Sequence, residues 1–259
     1  MLTVISPAKR LDWDPVDMTS ATEPVFQKDA ASLARVARKL SSSELQRLMG
    51  ISESLADLNV ARFKAFKRDP GDELVKPAVL AFGGDTYVGL DAGTLNTNDL
   101  AYAQGHLRIL SGLYGLLRPL DKIQPYRLEM GSRLATRRGS SLYDYWGSRI
   151  AKALNAEAEA QGTDILVNCA SQEYFGAVDR KALKLQVVEP VFYENKAGVE
   201  KIVSFFAKKA RGAMARFIVE NRISQVANLK EFSADGYRFQ PSQSEGDRIV
   251  FSRLAEVAA

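Results

Sequence analysis

The first residues of the chain, Leu2-Thr3-Val4-Ile5-Ser6 followed by Pro7-Ala8-Lys9, combine an apolar β-branched run with a turn. A run of this kind predicts a β-strand that ends at a loop. Helical patterns alternate with similar runs at 78–82, 164–169, 185–192 and 200–206. This alternation predicts an α/β fold with a mixed sheet flanked by helices. Ligands commonly bind at loops that follow strands in such folds, which makes Lys9 a candidate site residue.

The predicted helices lie at 29–40, 43–49, 53–66, 100–110, 141–161 and 208–221. Near the C-terminus, 236–239 and 248–251 are predicted to form a hairpin, because a loop rich in Pro, Ser and Gly joins them. No polar break is long enough to be a convincing linker. We therefore expect a single domain over residues 1–259.

The composition is that of an ordinary globular protein, with 46% hydrophobic and 25% charged residues among 259. No stretch approaches the roughly 18 apolar residues of a membrane helix, and the N-terminus lacks the basic region of a signal peptide. The single cysteine, Cys169, fits a reducing compartment and precludes an intrachain disulfide. These features predict a cytoplasmic protein without membrane contact, and we expect a monomer.

Metal and cofactor chemistry is restricted because the chain has one histidine, His106, and one cysteine. Zinc sites with two histidines or four cysteines are excluded, as are iron–sulfur clusters and two-cysteine redox pairs. An all-carboxylate magnesium site stays possible, since Asp and Glu are plentiful. We predict no cofactor and assign no metal ligand.

The net charge of +4 is distributed unevenly along the chain. Residues 106–138 and residues 196–222 each carry seven Lys or Arg against two acidic residues, a net charge of +5 per segment. The rest of the chain must then carry −6. Segregation of this kind indicates a basic cleft that binds a polyanion. The alternative is that both segments form solvated helix faces that never meet in space.

The segment 43–66 predicts a short helix, a tight Gly50-Ile51-Ser52 turn and a second helix. Ser52 is a favourable N-cap, and Ala56 would let the two helices approach closely. The pattern is similar to a helix-hairpin-helix DNA-binding motif, in which backbone amides bind a phosphate. Gly50, Ile51 and Ser52 are therefore candidate DNA-binding residues. An ordinary helical hairpin is the alternative, because Ser52 stands where the motif usually has a second glycine.

A second candidate is the helix at 208–221, which is predicted to have one apolar and one basic side. Gly212 lies within the basic arc, although glycine in a helix costs about 1 kcal/mol relative to alanine. Close approach of a ligand or of another backbone would explain that glycine. We interpret the arc as a DNA-binding face, and a solvated basic face is the alternative. Its candidate residues are Lys208, Lys209, Arg211 and Arg216.

The segment 106–131 mixes glycines and prolines with charges and with apolar residues that demand burial. Charged side chains in such a wall are expected to pair or to contact a ligand, because an unpaired buried charge is costly. The candidate DNA-binding residues here are Arg108, Arg118 and Arg127. An internal ion pair between Arg118 and Asp121 is the structural alternative.

Several sequence blocks point to one family. They are SPAK at 6–9, LSGLYG at 110–115, LRPLD at 117–121, PYRLEMG at 125–131, YDYWG at 143–147, SQEYF at 171–175, AKKARG at 207–212 and ENR at 220–222. Together they resemble the YaaA family of peroxide stress resistance proteins, over essentially the whole chain. The resemblance implies a single-domain α/β fold, a helix-hairpin-helix beside a basic cleft, DNA binding and a role in limiting iron-dependent oxidative DNA damage. It implies no settled enzymatic activity.

Two functional hypotheses follow from these observations. The leading one is a stress protein that binds the backbone and shape of duplex or structured DNA, because no helix carries a cluster suited to base readout. The alternative is an enzyme that acts on a nucleotide or a nucleic acid base, with Asp121 or Glu129 as the acid–base group. A deep closed pocket would favour the enzyme, and a long groove continuous with the Gly50 hairpin would favour DNA binding. Direct iron sequestration by carboxylates lacks an obvious ExxE or ExxH cluster.

Overall fold

An eight-stranded sheet organises the fold in the computed structural model, which describes residues 1–16 and 20–254. The strands are β1 (Leu2–Ile5), β2 (Lys76–Pro77), β3 (Leu107–Ser111), β4 (Gly115–Leu117), β5 (Lys122–Ile123), β6 (Ile165–Cys169), β7 (Gln186–Lys196), β8 (Val199–Lys201), β9 (Arg238–Phe239) and β10 (Arg248–Leu254). The helices are α1 (Gln27–Ala37), α2 (Ser42–Met49), α3 (Glu53–Ala65), α4 (Ala78–Ala81), α5 (Asp85–Leu90), α6 (Thr97–His106), α7 (Leu142–Trp146), α8 (Arg149–Ala160), α9 (Gln172–Phe175) and α10 (Ser204–Glu220).

The main sheet has the strand order β4-β3-β1-β6-β7-β10-β9, and β8 pairs with one end of β7. Its centre is parallel, from β3 through β1, β6 and β7 to β10, whereas β4, β8 and β9 pair antiparallel with their neighbours. Strands β2 and β5 form a separate antiparallel pair. The predicted α/β class, with a mixed sheet flanked by helices, is confirmed. The extent of the domain, 1–259, stays a prediction.

Strand β1 lies in the middle of this sheet, and its residues Leu2, Val4 and Ile5 are completely buried. Continuous apolar strands are typical of parallel sheets that are covered on both faces. The register pairs Ile5 with Cys169 of β6 and with Ile109 of β3. The loops that follow β1 and β6 therefore start at the same level, on the same edge of the sheet.

Two predicted elements are wrong because short apolar runs do not distinguish a buried strand from a helix by periodicity. Residues 78–82, predicted as a strand, contain the short helix α4, where two alanines favour helix. Residues 100–110, predicted as one helix, divide at His106, and the wholly buried Leu107–Ser111 run forms β3.

Two further boundaries differ from the prediction, and one predicted element is confirmed. The predicted strand at 200–206 ends at Lys201, and α10 begins at Ser204 with exposed aromatic residues. The predicted helix at 141–161 is interrupted at Gly147, whose φ of +47° favours glycine. The C-terminal hairpin is confirmed, because β9 and β10 pair antiparallel.

Candidate functional site

A cavity of about 400 Å³ opens where β1 and β6 end. We name it the strand-edge cleft. Its lining consists of residues 6–10, residues 83–87, Cys169, Ser171, Glu173, Tyr174, Lys208 and Arg211. The carboxyl edge of a parallel sheet is the usual position of ligand sites in open α/β folds.

Close packing of α5 against α10 builds one wall of the cleft. A Cβ atom added to Gly212 would lie 1.8 Å from the Thr86 carbonyl oxygen, and one added to Gly89 would lie 2.0 Å from the Lys209 carbonyl oxygen. No side chain fits at either position unless helix backbone moves. Of the two explanations that the sequence leaves open for Gly212, close approach of another backbone holds, because the backbone of α5 occupies that space.

Six charged side chains line the cleft, namely Lys9, Arg10, Lys208, Arg211, Asp85 and Glu173. Four cations against two carboxylates leave a net charge of +2. Two of the six are held by main-chain groups. The Nε of Arg10 donates to the Gly83 carbonyl oxygen at 2.9 Å, and Glu173 accepts the Gly131 N–H at 3.0 Å. The lining thus combines positive charge with side chains of fixed orientation.

Arg211 is the partly buried cation of the cleft, and it lies beside Cys169. Burial lowers the pKa of its guanidinium, and the weaker electrostatic influence of Cys169 and Glu189 opposes this shift. Within 1–16 and 20–254, the guanidinium forms neither a hydrogen bond nor an ion pair. A desolvated cation without a protein partner raises the free energy of the folded state, and an anionic ligand would offset that cost.

Serine hydroxyls connect the two loops at the floor of the cleft. The Ser171 N–H donates to Ser6 Oγ at 2.9 Å, and the Ser6 hydroxyl donates to Ser171 Oγ at 3.3 Å. The Tyr87 hydroxyl donates to the Ser6 carbonyl oxygen at 3.2 Å. The neighbouring Cys169 is buried, and burial raises the pKa of its thiol to about 12. The thiol is therefore protonated at neutral pH and unsuited to nucleophilic chemistry.

Three residues predicted from sequence meet beside the cleft. Lys9 Nζ lies 3.0 Å from one oxygen of Glu129, and Arg127 donates to the other oxygen at 2.9 Å. The Lys9 side chain is 64% exposed, whereas those of Glu129 and Arg127 are 17% and 15% exposed. Glu129 neutralises much of the Arg127 charge, so Lys9 is the cation of this group that solvent reaches.

Three other predicted residues lie in internal ion pairs, and none of them lines the cleft. Arg108 is 1% exposed, donates to Glu157 at 2.6 Å and bonds main-chain carbonyls around the end of α6. Arg118 pairs with Asp121 at 3.0 Å, and Asp121 also accepts the Thr22 hydroxyl at 2.7 Å. Burial raises the pKa of Asp121, but its side chain has no exposed surface. The Arg118–Asp121 pair is the structural alternative that the sequence left open.

The basic arc of α10 divides between two surfaces. Lys209 pairs with Asp235 at 3.0 Å, and Arg216 pairs with Glu220 at 2.8 Å. Arg216 also donates to two carbonyl oxygens where α5 ends. Both cations line a different hollow, on the other side of the α5–α10 contact. The remaining basic residues of the arc, Lys208 and Arg211, are the two that reach the strand-edge cleft.

Helices α2 and α3 form a tight hairpin around Gly50, whose φ is +61°. Ser52 caps α3 by accepting the Leu55 N–H, and Glu53 is exposed in the first turn. Residues 50–52 are not part of the cleft lining. The helical hairpin predicted from sequence is therefore present, and its binding of phosphate stays a prediction.

The cleft also contains residues that were not named as site residues from sequence, among them Arg10, Asp85, Tyr87, Glu173 and Tyr174. Arg10 directly follows the SPAK block, and Glu173 and Tyr174 belong to the SQEYF block, so both blocks carried a usable signal. Asp85 and Tyr87 carried none, because only the tertiary contact of α5 with α10 brings them to the cleft.

No group of three or more His, Cys, Asp or Glu in residues 1–16 and 20–254 is arranged to hold a metal ion. In the same part of the chain, every helix is too short or too polar to cross a bilayer.

Comparison with known proteins gives the family. The family described as peroxide stress protein YaaA matches residues 1–243. The chain belongs to this family. A UPF0246 protein of Ruegeria pomeroyi is 60% identical over 253 residues, which is 98% of each chain. A UPF0246 protein of Dinoroseobacter shibae is 61% identical over 259 residues, which is 100% of this chain and 97% of the relative. The predicted YaaA resemblance is confirmed, and the family supports a role in the oxidative stress response.

Proposed function

We propose that the protein binds DNA during the peroxide stress response and that the strand-edge cleft is its phosphate-binding centre. Lys9, Arg10, Lys208 and Arg211 supply the contacts to the backbone. Binding of this type depends on DNA backbone and shape, because phosphates carry no sequence information. DNA covered in this way is shielded from iron-dependent oxidative damage.

One observation carries the proposal, namely the partly buried Arg211 guanidinium without a protein partner in the described residues. A structural arginine such as Arg108 pairs with Glu157 and with main-chain carbonyl oxygens. Arg211 instead lines a cavity of net positive charge. An arginine fork matches the geometry of a phosphate, which accepts two hydrogen bonds from it.

The remaining features of the proposal come from the composition and the family. We place the protein in the cytoplasm, where its single cysteine stays reduced. We propose a monomer that acts without a cofactor. The partner is duplex or structured DNA, and no membrane is involved.

The test compares DNA binding of two double variants by fluorescence anisotropy across a salt series. Lys208→Ala/Arg211→Met removes one Lys and one Arg from the cleft, and Lys152→Ala/Arg68→Ala removes the same charges from exposed positions elsewhere. Each lost phosphate contact lowers the slope of log K against log salt by about 1. We expect the cleft variant to lose about 2 in slope and the control to lose none. Equal slopes in both variants would contradict the proposal.

The hairpin is tested by Gly50→Val, for which the chain offers a matched control. Gly50 and Gly162 have φ values of +61° and +62°, and neither has atoms within 4 Å of an added Cβ. Valine at either position therefore strains the backbone to a similar degree. Weaker DNA binding by Gly50→Val than by Gly162→Val would assign phosphate contact to the hairpin. Equal affinities would remove Gly50, Ile51 and Ser52 from the interface.

A second candidate function is an enzyme that acts on a nucleotide or nucleic acid base in the same cleft. The concave shape of the cleft favours it, because Tyr87 and Tyr174 could hold a single base beside Arg211. Glu129 is then the acid–base group, since it contacts Lys9 beside the cleft and retains some exposure. This function would be favoured if the protein bound a nucleotide but did not bind DNA at low salt.

A further inference from the structure

A second cationic hollow, of about 370 Å³, lies between α1 and the turn at 136–139. Four cationic side chains line it, and its lining includes no carboxylate. We name it the α1 hollow. Its cations are Arg35, Lys39, Arg137 and Arg138.

One of these cations is held in a fixed position. The Arg138 guanidinium lies 4.7 Å from the centre of the Tyr145 ring and donates to Asp29 at 2.7 Å. Arg149 contacts the same two partners, because it pairs with the same Asp29 oxygen and stacks on the Tyr145 ring. Asp29 is thus shared between two arginines and neutralises only part of their charge.

The other three cations have no such partner. Within the ranges that the structure describes, Arg35, Lys39 and Arg137 form no ion pair, and all three are exposed. The negative end of the helix dipole explains a cation at Arg35, because this residue lies in the last turn of α1. It does not account for Arg137, which a different segment brings to the same concave surface. Convergence of unpaired like charges in one hollow is typical of an anion-binding surface.

Helix α7 separates the α1 hollow from the strand-edge cleft. The Tyr143 hydroxyl donates at 2.9 Å to the carbonyl oxygen of Glu173, a residue of the cleft lining, whereas Tyr145 lines the α1 hollow. Residues i and i+2 of a helix lie about 200° apart around its axis, so Tyr143 and Tyr145 point to opposite sides of α7. The two cationic surfaces therefore lie on opposite sides of α7.

We infer that the α1 hollow is a second phosphate-binding site, which holds the backbone of a DNA strand that continues past α7 from the strand-edge cleft. This inference rests on the proposed DNA-binding function and extends it to a second contact. A single ligand that contacts both surfaces must carry phosphates on both sides of α7, and a continuous nucleic acid strand does so. A mononucleotide, with its single phosphate group, reaches only one of the two surfaces.

The test uses Arg35→Ala/Lys39→Ala, with Arg68→Ala/Lys152→Ala as a control that removes the same two charges from exposed positions outside the hollow. Binding of a labelled DNA duplex is measured by anisotropy across a salt series, and binding of deoxyadenosine monophosphate is measured by calorimetry. Urea denaturation verifies that both variants fold as the unmodified protein does. For the hollow variant, we expect the slope of log K against log salt on the duplex to fall by about 1 to 2. Its affinity for the mononucleotide should equal that of the unmodified protein. The control should match the unmodified protein in both assays.

Several outcomes would overturn the inference. An unchanged salt slope in Arg35→Ala/Lys39→Ala, with the cleft variant Lys208→Ala/Arg211→Met weakened, refutes the second site and leaves the proposed function intact. The same loss in Arg68→Ala/Lys152→Ala shows a general effect of net charge and also refutes it. Failure of the unmodified protein to bind duplex at low salt refutes the proposed function and, with it, this inference.

Discussion

Gly212→Ala is the substitution for which the structure gives the clearest expectation, because two physical effects of opposite sign act on it. Helix propensity alone predicts stabilisation by about 1 kcal/mol, since alanine replaces glycine inside α10. Packing predicts the reverse, because the new Cβ would lie 1.8 Å from the Thr86 carbonyl oxygen and 2.8 Å from the Leu90 nitrogen. Both contacts involve the backbone of α5, so rotation of a side chain cannot relieve them.

The magnitude follows from the displacement that the helices need. The distance to the Thr86 oxygen must increase from 1.8 Å to at least 3.4 Å before the contact is ordinary. Overpacking costs about 1–3 kcal/mol, and a shift of a whole helix belongs at the upper end of that range. After the propensity gain is subtracted, we expect a loss of about 2 kcal/mol in the free energy of unfolding.

The assay is equilibrium urea denaturation, with Gly105→Ala as the matched control. Gly105 is also a glycine inside a helix, α6, and an added Cβ there would meet only the Gln161 side chain at 3.5 Å. The control should be as stable as the unmodified protein or up to about 1 kcal/mol more stable. If Gly212→Ala gained stability as Gly105→Ala does, the account of how α5 and α10 build the cleft wall would be refuted.

Four further predictions concern single residues. Arg211→Met should weaken DNA binding but leave the free energy of unfolding unchanged or raise it by about 1 kcal/mol, because it removes an unpaired, partly buried charge; a clear loss of stability in urea denaturation would contradict this. Arg216→Ala should lower that free energy by about 2 kcal/mol through lost hydrogen bonds and leave the salt slope of DNA binding unchanged; a reduced slope would return Arg216 to the interface. Burial would raise the pKa of Asp29, but hydrogen bonds from Arg138, Tyr145 and Arg149 lower it overall, so its stabilising effect is complete above the unfolded-state pKa of about 3.9 and is lost as the pH falls through the folded-state value. Urea denaturation of Asp29→Asn is therefore compared with that of the unmodified protein from about pH 2 to about pH 7. We expect the variant to be less stable near neutrality and equally stable in acid. A difference in stability that does not change with pH would argue against the ion pairs. Finally, the raised pKa of Cys169, about 12, predicts slow alkylation of the native protein at neutral pH, and rapid stoichiometric labelling would contradict its burial.

The position of the cleft could be predicted from sequence, because β1 is a continuous apolar run and a lysine follows its end. Parallel strands that start their loops at one level bring Lys9 near Ser171, and that geometry belongs to the fold class. The presence of Lys208 and Arg211 in the cleft was also predicted. Both belong to the basic arc of α10 that the sequence pattern predicts.

The ion pairs of the other cations could not be predicted, because their partners are distant in sequence. Arg108 pairs with Glu157 and Lys209 pairs with Asp235, and only the tertiary fold creates these contacts. A helical wheel places Lys209 and Arg211 on one basic arc, but α5 packs against α10 in the middle of that arc at Gly212. Amphipathic patterns identify which side of a helix is polar and do not identify which polar side chains find protein partners.

The measurement that tests the account most directly is fluorescence anisotropy of the unmodified protein with labelled duplex, single-stranded and junction DNA across a salt series. The account predicts binding to duplex whose log K falls with log salt by about 0.9 for each neutralised phosphate, with several phosphates involved. The affinities of the three forms would then rank the DNA shapes that the cleft accepts. Absence of binding to all three forms at low salt would contradict the account and would favour a nucleotide-sized ligand in the strand-edge cleft.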